Sequence, residues 1–236
     1  MFSGSFVAIV TPMRPDGSID YDAWSRLIDL HLASGTRGII VAGTTGESPS
    51  VDDGEVAELV LRAKRQIAGR MVLMAGAGQN STAATVERAR AVSALGVDAL
   101  LVVTPAYNKP TQAGLYLHYA AVAAASAVPV TLYNVPGRTA VDLSPDTVAR
   151  LAAVPRIAAI KEAVADLARI RELLAKAPGI DVLSGDDATA REAVLAGAKG
   201  VVSVTANVAP PAMAEMIVAR SEEHTSELQS HSFISY

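Results

Sequence analysis

Cysteine is absent from the 236 residues, and only 4% of them are aromatic. Without cysteine there is no disulfide, no thiolate nucleophile and no cysteine-ligated metal. An excess of charge of one sign is also missing, since 20 lysines and arginines stand against 24 aspartates and glutamates, for a net charge of −4. This balance indicates neither nucleic-acid binding nor attachment to an anionic membrane.

Long hydrophobic runs are missing as well. No apolar stretch approaches the ~18 residues that suggest a transmembrane helix. The first residues lead directly into a predicted strand without the basic segment of a secretory signal. The sequence therefore predicts a cytoplasmic protein. With 50% hydrophobic residues, it has enough apolar material for one large core.

Short apolar segments rich in β-branched residues recur along the chain, each followed by turn residues and a helical pattern. Eight of them are predicted as strands: residues 6–10, 38–42, 71–75, 99–103, 130–133, 157–160, 182–184 and 201–204. Strands alternating with helices indicate βαβ units and a parallel sheet. Eight such units predict an α/β protein with a (β/α)8 TIM-barrel fold.

Capping residues support the predicted helices. Each predicted helix begins at or just after a residue type that favours a helix N-terminus, and several of the helices are followed by a glycine. These residues are Asp20, Asp52, Ser81, Thr111, Ser144, Asp166 and Asp187. The rival fold is an open doubly wound sheet, which usually carries a glycine-rich fingerprint after its first strand. Residues 11–15 have the sequence TPMRP instead, which favours the barrel.

Lys161 follows an apolar strand and is the first candidate for chemistry. Burial lowers the pKa of a lysine from about 10.4, and a neutral amine forms a Schiff base with a carbonyl compound. A surface lysine just past a strand end is the alternative. In a barrel, however, functional residues lie at the carboxyl ends of the strands, and other unusual residues fall there too.

Four further segments follow predicted strands. Residues 43–48 have the sequence GTTGES, whose hydroxyls and free N–H groups suit a small carboxylate. Tyr107 and Tyr133 could shuttle a proton, and Arg138 could bind a substrate carboxylate. Asp186 and Asp187 suggest a metal, but no histidine lies near a strand end, so no metal site is predicted.

Two long motifs carry a family resemblance. The first spans residues 38–55 with GTTGES, and the second runs from YNVP at residues 133–136 through Arg138 to KEA at residues 161–163. With these motifs, and with VVSVTAN at residues 201–207, residues 1–219 resemble the dihydrodipicolinate synthase family of the pyruvate-dependent class I aldolases. The resemblance implies a lyase that condenses pyruvate with L-aspartate 4-semialdehyde in lysine and diaminopimelate biosynthesis.

The resemblance also implies a role for each matching residue. Lys161 is expected to form the Schiff base with pyruvate, without any cofactor or metal. Tyr133 is expected to be the general acid and base, and Thr44 to link it to Tyr107 of a neighbouring subunit. The substrate-binding residues implied in the same way are Thr45, Arg138, Gly185 and Val202. A homotetramer, a dimer of dimers, is expected for the full-length protein.

Two alternative functions stay open at this point. A sibling aldolase, such as an N-acetylneuraminate lyase or a 2-keto-3-deoxy sugar acid aldolase, shares the lysine, the tyrosine and the threonine loop. Arg138 favours the synthase, because a sugar polyol does not need it. The other alternative is an inactive truncated fragment.

The chain departs from the family pattern in two places. The barrel is expected to be truncated in or after its eighth helix, with the C-terminal helical region of the family missing. Residues 220–236 lose the apolar rhythm and resemble a translated sequencing adapter, so a catalytic domain of residues 1–219 and a non-native tail are predicted. In addition, the positions that bind lysine in feedback-inhibited relatives are mostly replaced, which predicts weak or absent inhibition by lysine.

Overall fold

The computed structural model describes residues 2–219. Eight parallel strands close into a barrel in chain order, with β8 beside β1. The strands are β1 (Gly4–Ala8), β2 (Gly38–Val41), β3 (Val72–Gly76), β4 (Ala99–Val103), β5 (Val130–Asn134), β6 (Ile157–Glu162), β7 (Asp181–Ser184) and β8 (Gly200–Ser203). The predicted (β/α)8 TIM barrel is confirmed, and each predicted strand overlaps an observed one.

Helices connect successive strands on the outside of the barrel. They are α1 (Tyr21–Ala33), α2 (Asp53–Ile67), α3 (Thr82–Ala94), α4 (Gln112–Ala125), α5 (Pro136–Thr139), α6 (Pro145–Leu151), α7 (Leu167–Lys176) and α8 (Ala190–Leu195). A last helix, α9, covers residues 210–219. Short 3-10 turns lie at Ser48–Ser50 and Thr205–Asn207.

Side-chain caps fix the starts of most of these helices where the sequence predicts them. Asp52 accepts a hydrogen bond from the backbone N–H of Glu55, whose side chain accepts in return from the Asp52 N–H. This reciprocal pair satisfies two N–H groups that a helix terminus leaves free. Ser81 and Thr111 cap α3 and α4 through single hydrogen bonds to the third helical residue.

The Asp187 helix start is the exception and was predicted wrongly. The helix begins at Ala190, after Thr189. The Asp187 carboxylate instead accepts hydrogen bonds from the backbone N–H groups of Val204, at 3.0 Å, and Thr205, at 2.8 Å. It therefore links the segment after β7 to the segment after the neighbouring strand β8.

Two apolar clusters separate the inside of the barrel from its outer layer. Residues that alternate along a strand point to opposite faces, so one set fills the barrel and the other packs against the helices. The inner cluster includes Phe6, Met74, Leu101, Leu183 and Val202. The much larger outer cluster lies between strands and helices. Lys161 and Tyr133 lie at the carboxyl ends of their strands, at one end of the inner cluster. Barrel enzymes have their active sites at this end of the barrel.

Residues 220–236, including the predicted tail, lie outside the part of the chain that the structure describes. Between residues 2 and 219, no helix is both long and apolar enough to cross a membrane.

Candidate active site

Lys161 on β6 lies opposite Tyr133 on β5 in the strand register. The Nζ atom of Lys161 is 4.2 Å from the centroid of the Tyr133 ring. This register depends on one extra residue in β6: Val130 pairs with Ile157, but Thr131 pairs with Ala159, so Ala158 is left over. Both Ala158 and Ala159 pack against the inner cluster. The bulge thus moves Lys161 opposite Tyr133, and bulges near active sites commonly re-aim a side chain in this way.

The Lys161 side chain is almost completely enclosed, with 4% of the residue exposed. Burial disfavours the ammonium form and lowers the pKa of Lys161 to about 8, although the Asp187 carboxylate opposes the shift. The Arg138 guanidinium lowers the same pKa further. A substantial fraction of the amine is therefore neutral near pH 8, as a nucleophile that attacks carbonyl carbon requires.

Tyr133 is also buried and is tied to the loop after β2. Burial raises the pKa of its phenol above the ordinary value, while a hydrogen bond with the Thr44 side chain and the charge of Arg138 oppose the increase. The phenol stays protonated at neutral pH and can donate its proton to an oxygen bound beside Lys161. Thr44 therefore lies close enough to Tyr133 to influence its phenol within one chain.

Gly185 follows β7 and leaves the space that the Lys161 side chain occupies. A Cβ atom on Gly185 would lie 3.0 Å from Cε of Lys161 and 2.9 Å from Cβ of Ala163. Any larger residue would therefore push against the reactive side chain. Val202 is fully buried in the inner cluster that also contains Tyr133. Both residues help to shape the space around the amine.

The two glycines of the GTTGES loop have different surroundings. A Cβ on Gly46 would lie 2.9 Å from the carbonyl oxygen of Ile9, so this glycine is needed for packing against β1 and its following loop. A Cβ on Gly43 would meet no atom closer than 3.6 Å. Thr44 and Thr45 are half-buried. Thr44 also borders a cavity of 590 Å³, and so do Val135 and Arg138. Tyr133 instead shares a separate, smaller cavity with Thr44, and Lys161 lines neither of the two.

Tyr107 is a predicted site residue that no contact in the described chain joins to Lys161 or Tyr133. Tyr107 is 90% exposed to solvent, and its backbone φ of 71° lies in the left-handed region. Arg138 is also exposed, but its charge acts on both Lys161 and Tyr133. The single chain therefore assembles Lys161, Tyr133, Thr44 and Gly185, with Arg138 near them, and leaves Tyr107 exposed to solvent.

Comparison with known proteins agrees with this geometry. The model of the dihydrodipicolinate synthetase family matches residues 1–232. The chain belongs to this family. It is 52% identical over 220 residues to the 4-hydroxy-tetrahydrodipicolinate synthase of Ectopseudomonas mendocina (strain ymp), covering 93% of this chain and 75% of the relative. The enzyme of the same name from Cellvibrio japonicus (strain Ueda107) is also 52% identical, over 92% of this chain and 75% of its own length.

A solved family structure has the same fold. The chloride-inhibited dihydrodipicolinate synthase from Acinetobacter baumannii, complexed with pyruvate, superimposes with a TM-score of 0.93 at 45% identity. The match covers 98% of this chain and 79% of that one. The resemblance stated from the sequence is confirmed, and so is the prediction of a lyase of the pyruvate-dependent class I aldolase type, with 4-hydroxy-tetrahydrodipicolinate synthase as its function.

The sequence did not predict the arrangement of two acidic residues near Lys161, Asp187 and Glu162. Asp187 acts on Lys161 through its charge, and hydrogen bonds, including those from Thr205 and Val204, outweigh burial and hold the pKa of its carboxyl below the usual range. Glu162, the residue after Lys161, is completely buried. The acidic residues at the end of β6 and in the segment after β7 were the available signal, but their orientation requires the structure.

The two histidines in the described part of the chain lie on helices α1 and α4. Over residues 2–219, no group of three or more histidine, aspartate or glutamate side chains could hold a metal ion. His31 and His118, which the sequence left as either solvated or packed, are buried and bonded through Nδ1 to the hydroxyls of Thr36 and Thr82, each at 2.9 Å. They belong to the helical layer of the barrel.

Proposed function

We propose that Lys161 forms a Schiff base with pyruvate and that the resulting enamine condenses with L-aspartate 4-semialdehyde. The single observation that supports this most strongly is the buried amine of Lys161, 4.2 Å from the ring centroid of Tyr133. A lysine enclosed by apolar walls has a lowered pKa, and the tyrosine beside it can supply and recover protons. No metal or organic cofactor enters the proposed reaction.

The first step joins the lysine to pyruvate. The neutral Nζ of Lys161 attacks the keto carbon, and the carbonyl oxygen takes a proton to give a carbinolamine. Loss of water then leaves an imine, with Tyr133 donating the proton to the departing hydroxyl. We assign the pyruvate carboxylate to Thr45 and the loop of residues 43–48, whose N–H and hydroxyl groups suit a carboxylate.

Carbon–carbon bond formation follows on the same nitrogen. The iminium withdraws electrons, so the methyl group of pyruvate loses a proton and becomes the nucleophilic carbon of an enamine. That carbon attacks the aldehyde carbon of the second substrate, and the aldehyde oxygen takes up a proton to become a hydroxyl group. The amino group of the semialdehyde then attacks the imine carbon, closes the ring and displaces Lys161 as the free amine. Arg138, at the mouth, is proposed to bind the carboxylate of this second substrate.

Tyr107 is proposed to act in the site of a neighbouring subunit. Its ring is 90% exposed on a left-handed residue, so it extends away from its own barrel. A phenol held in this way can complete the relay through Thr44 to Tyr133 only when a second copy is present. We therefore propose that activity requires an assembly of subunits, with the homotetramer as the working form in the cytoplasm. Mixing inactive Tyr107→Phe and Lys161→Ala subunits should restore part of the activity.

Product formation from matched substrates tests the proposed reaction. The purified chain is incubated with pyruvate and either L-aspartate 4-semialdehyde or N-acetylmannosamine, and the products are separated by mass. We expect a cyclic product only with the semialdehyde, and Arg138→Ala should raise the KM for that substrate at least 10-fold. Turnover of the sugar instead would assign the chain to a sibling aldolase. A folded chain that turns over neither substrate would be an inactive fragment.

A further inference from the structure

A buried acidic network lies directly behind the reactive lysine, on the other side of β6. Glu162 follows Lys161, so its side chain points away from the barrel interior, into the layer between strands and helices. None of its surface is exposed. A completely buried carboxylate is costly unless hydrogen bonds satisfy it, so its partners define what it does.

The partners of Glu162 come from β5 and from the chain just after β6. The side-chain amide of Asn134 donates to both carboxylate oxygens, at 3.1 and 3.0 Å. The backbone N–H of Val164 donates to Oε1 at 2.9 Å. Asn134 is held in turn, because its Oδ1 accepts from the N–H of Leu143 at 2.9 Å and its amide also donates to Asp142 at 2.8 Å.

Asn134 and Glu162 pair across β5 and β6 in the same way as Tyr133 and Lys161, one residue further along both strands. Asn134 follows Tyr133, Glu162 follows Lys161, and the two pairs are adjacent in the β5–β6 register. The hydrogen bonds between Asn134 and Glu162 therefore join the two strands where the strands present Tyr133 and Lys161 to the substrate. The bulge at Ala158 sets this register, and the side-chain pair holds it at the carboxyl end.

From this geometry we infer that Glu162 is a positioning residue, which clamps the ends of β5 and β6 through Asn134 so that the Lys161 amine stays enclosed against Tyr133. The inference rests on the proposed Schiff-base function. Glu162 does not touch the substrate space, and its effect passes through the backbone of its neighbour. A displacement of about 1 Å in such a site can cost on the order of 100-fold in rate.

The charges facing Glu162 are Asp142 and Arg169. Burial raises the pKa of Glu162 to about 7, while the hydrogen bonds from Asn134 and Val164 and the charge of Arg169 lower it, and Asp142 raises it. Arg169 also forms an ion pair with Asp142 at 2.7 Å. Lys161 lies on the opposite face of the strand, where the charges that act on it are those of Asp187 and Arg138.

Glu162→Gln is the sharpest test, because it keeps the shape and replaces Oε2 with an NH2 group. That group would face the Asn134 amide at about 3.0 Å, donor against donor, so only the bond from Asn134 to Oε1 would remain and the clamp would be weakened. The titration of Lys161 is followed by NMR in protein carrying 13C at lysine Cε, with Lys161→Arg assigning the signal. This readout needs no turnover, so it is independent of whether the proposed reaction occurs.

We expect the Lys161 midpoint to rise by at least 0.5 pH unit in Glu162→Gln, because a loosened strand end admits water to the amine. The kcat with pyruvate and the semialdehyde should fall at least 10-fold, with a change of less than 3-fold in the KM for pyruvate. Asp98→Asn is the matched control, since Asp98 joins β3 to the chain before β4 through the N–H of Leu73, at 2.7 Å, at the opposite end of the barrel. It should leave the midpoint and the kcat unchanged.

A purely structural role for Glu162 would lower the melting temperature and leave the Lys161 midpoint unchanged, which would overturn the inference. If Glu162→Gln does not fold, Asp142→Asn serves instead, because that side chain is 39% exposed and supports Asn134 from the outside. It should shift the midpoint in the same direction by a smaller amount. An unchanged midpoint in Asp142→Asn would then contradict the clamp.

Discussion

Lys161 pairs with Tyr133 across β5 and β6 because β6 contains one residue more than its partner strand requires. If Ala158 paired with Thr131 instead of being left over, the register of the first pair, Val130 with Ile157, would bring Ile160 opposite Tyr133. An apolar side chain would then occupy the position of the amine. A one-residue shift reverses the face to which each side chain points, so the bulge decides whether the barrel has a reactive lysine.

The contact between Gly185 and Lys161 gives a direct test of how closely the amine is packed. Gly185→Ala would add an atom 3.0 Å from Cε of Lys161, so the lysine side chain must move. We expect kcat to fall about 10-fold and the free energy of unfolding to drop by about 1–3 kcal/mol, as is usual for overpacking.

Gly179→Ala is the control for this change, since an added Cβ there meets no atom within 4 Å. Its kcat should equal that of the unmodified chain. Equal kcat values in the two alanine variants would contradict the packing argument.

The pH dependence of Schiff-base formation should follow the Lys161 amine. Its pKa is lowered to about 8, so the rate of pyruvate capture should rise with pH and level off above that value. Asp187 raises this pKa and Arg138 lowers it. Asp187→Asn should therefore move the midpoint down, and Arg138→Gln should move it up.

The measurement is the rate of borohydride-trapped adduct between pH 6 and 10, by mass spectrometry. Opposite shifts in the two variants separate an effect on Lys161 from a general loss of structure, which would move both midpoints the same way. Shifts of the same sign, or none, would show that these two charges do not act on the amine.

The positions of the strands, and therefore of Lys161, could be predicted from the sequence because parallel barrel strands are buried on both faces and appear as short apolar runs. The starts of the capped helices could be predicted equally well, because the side chains of Ser81 and Thr111 accept hydrogen bonds from backbone N–H groups only a few residues later in the chain. The bulge at Ala158 could not be predicted, because small apolar residues on both sides of it give no sign of which way each side chain points.

Asp187 illustrates a second limit. Its position after a strand fits a helix cap as well as a link to the next strand, and only the spatial closeness of Thr205 decides between them. The Glu162 network has the same origin, since Asn134 and Asp142 lie in a chain segment well before β6 and approach Glu162 only in the folded barrel. Contacts between distant segments carry no local signal.

The two buried histidines predict a loss of stability in mild acid. Burial lowers the pKa of both His31 and His118 to about 4, from an ordinary value of 6.5. Their neutral forms stabilise the fold above pH 6.5, and this contribution is lost as the pH falls from 6.5 to 4, because the unfolded chain then binds protons that the folded chain does not. The loss is on the order of 3 kcal/mol for each histidine.

Urea unfolding at pH 7.5 and pH 5 would measure this effect. His118→Gln should lose less free energy of unfolding between the two pH values than the unmodified chain does. A variant whose loss equals that of the unmodified chain would show that His118 is protonated in the folded state.

Lysine should inhibit this enzyme weakly or not at all. The family resemblance implies that inhibited relatives bind lysine through histidine, glutamate and tyrosine side chains. The matching positions here are Asp53, Val56, Ala84 and Ala106, with only Ser48 and Asn80 retained. Asp53 forms an ion pair with Arg88 at 3.1 Å, and Val56 is buried in the outer cluster. Initial rates of the full-length enzyme should be unaffected by sub-millimolar lysine. Half-inhibition in that range would contradict the prediction.

The most direct test of the account is capture of pyruvate on Lys161. The purified chain is treated with pyruvate and borohydride at pH 8 and digested, and the modified peptide is sequenced by mass spectrometry, with Lys161→Arg as the matched control. We predict one adduct, on Lys161, which is missing from the control. A folded chain that gains no adduct, or gains it equally on other lysines, would contradict the assignment of Lys161 as the Schiff-base residue.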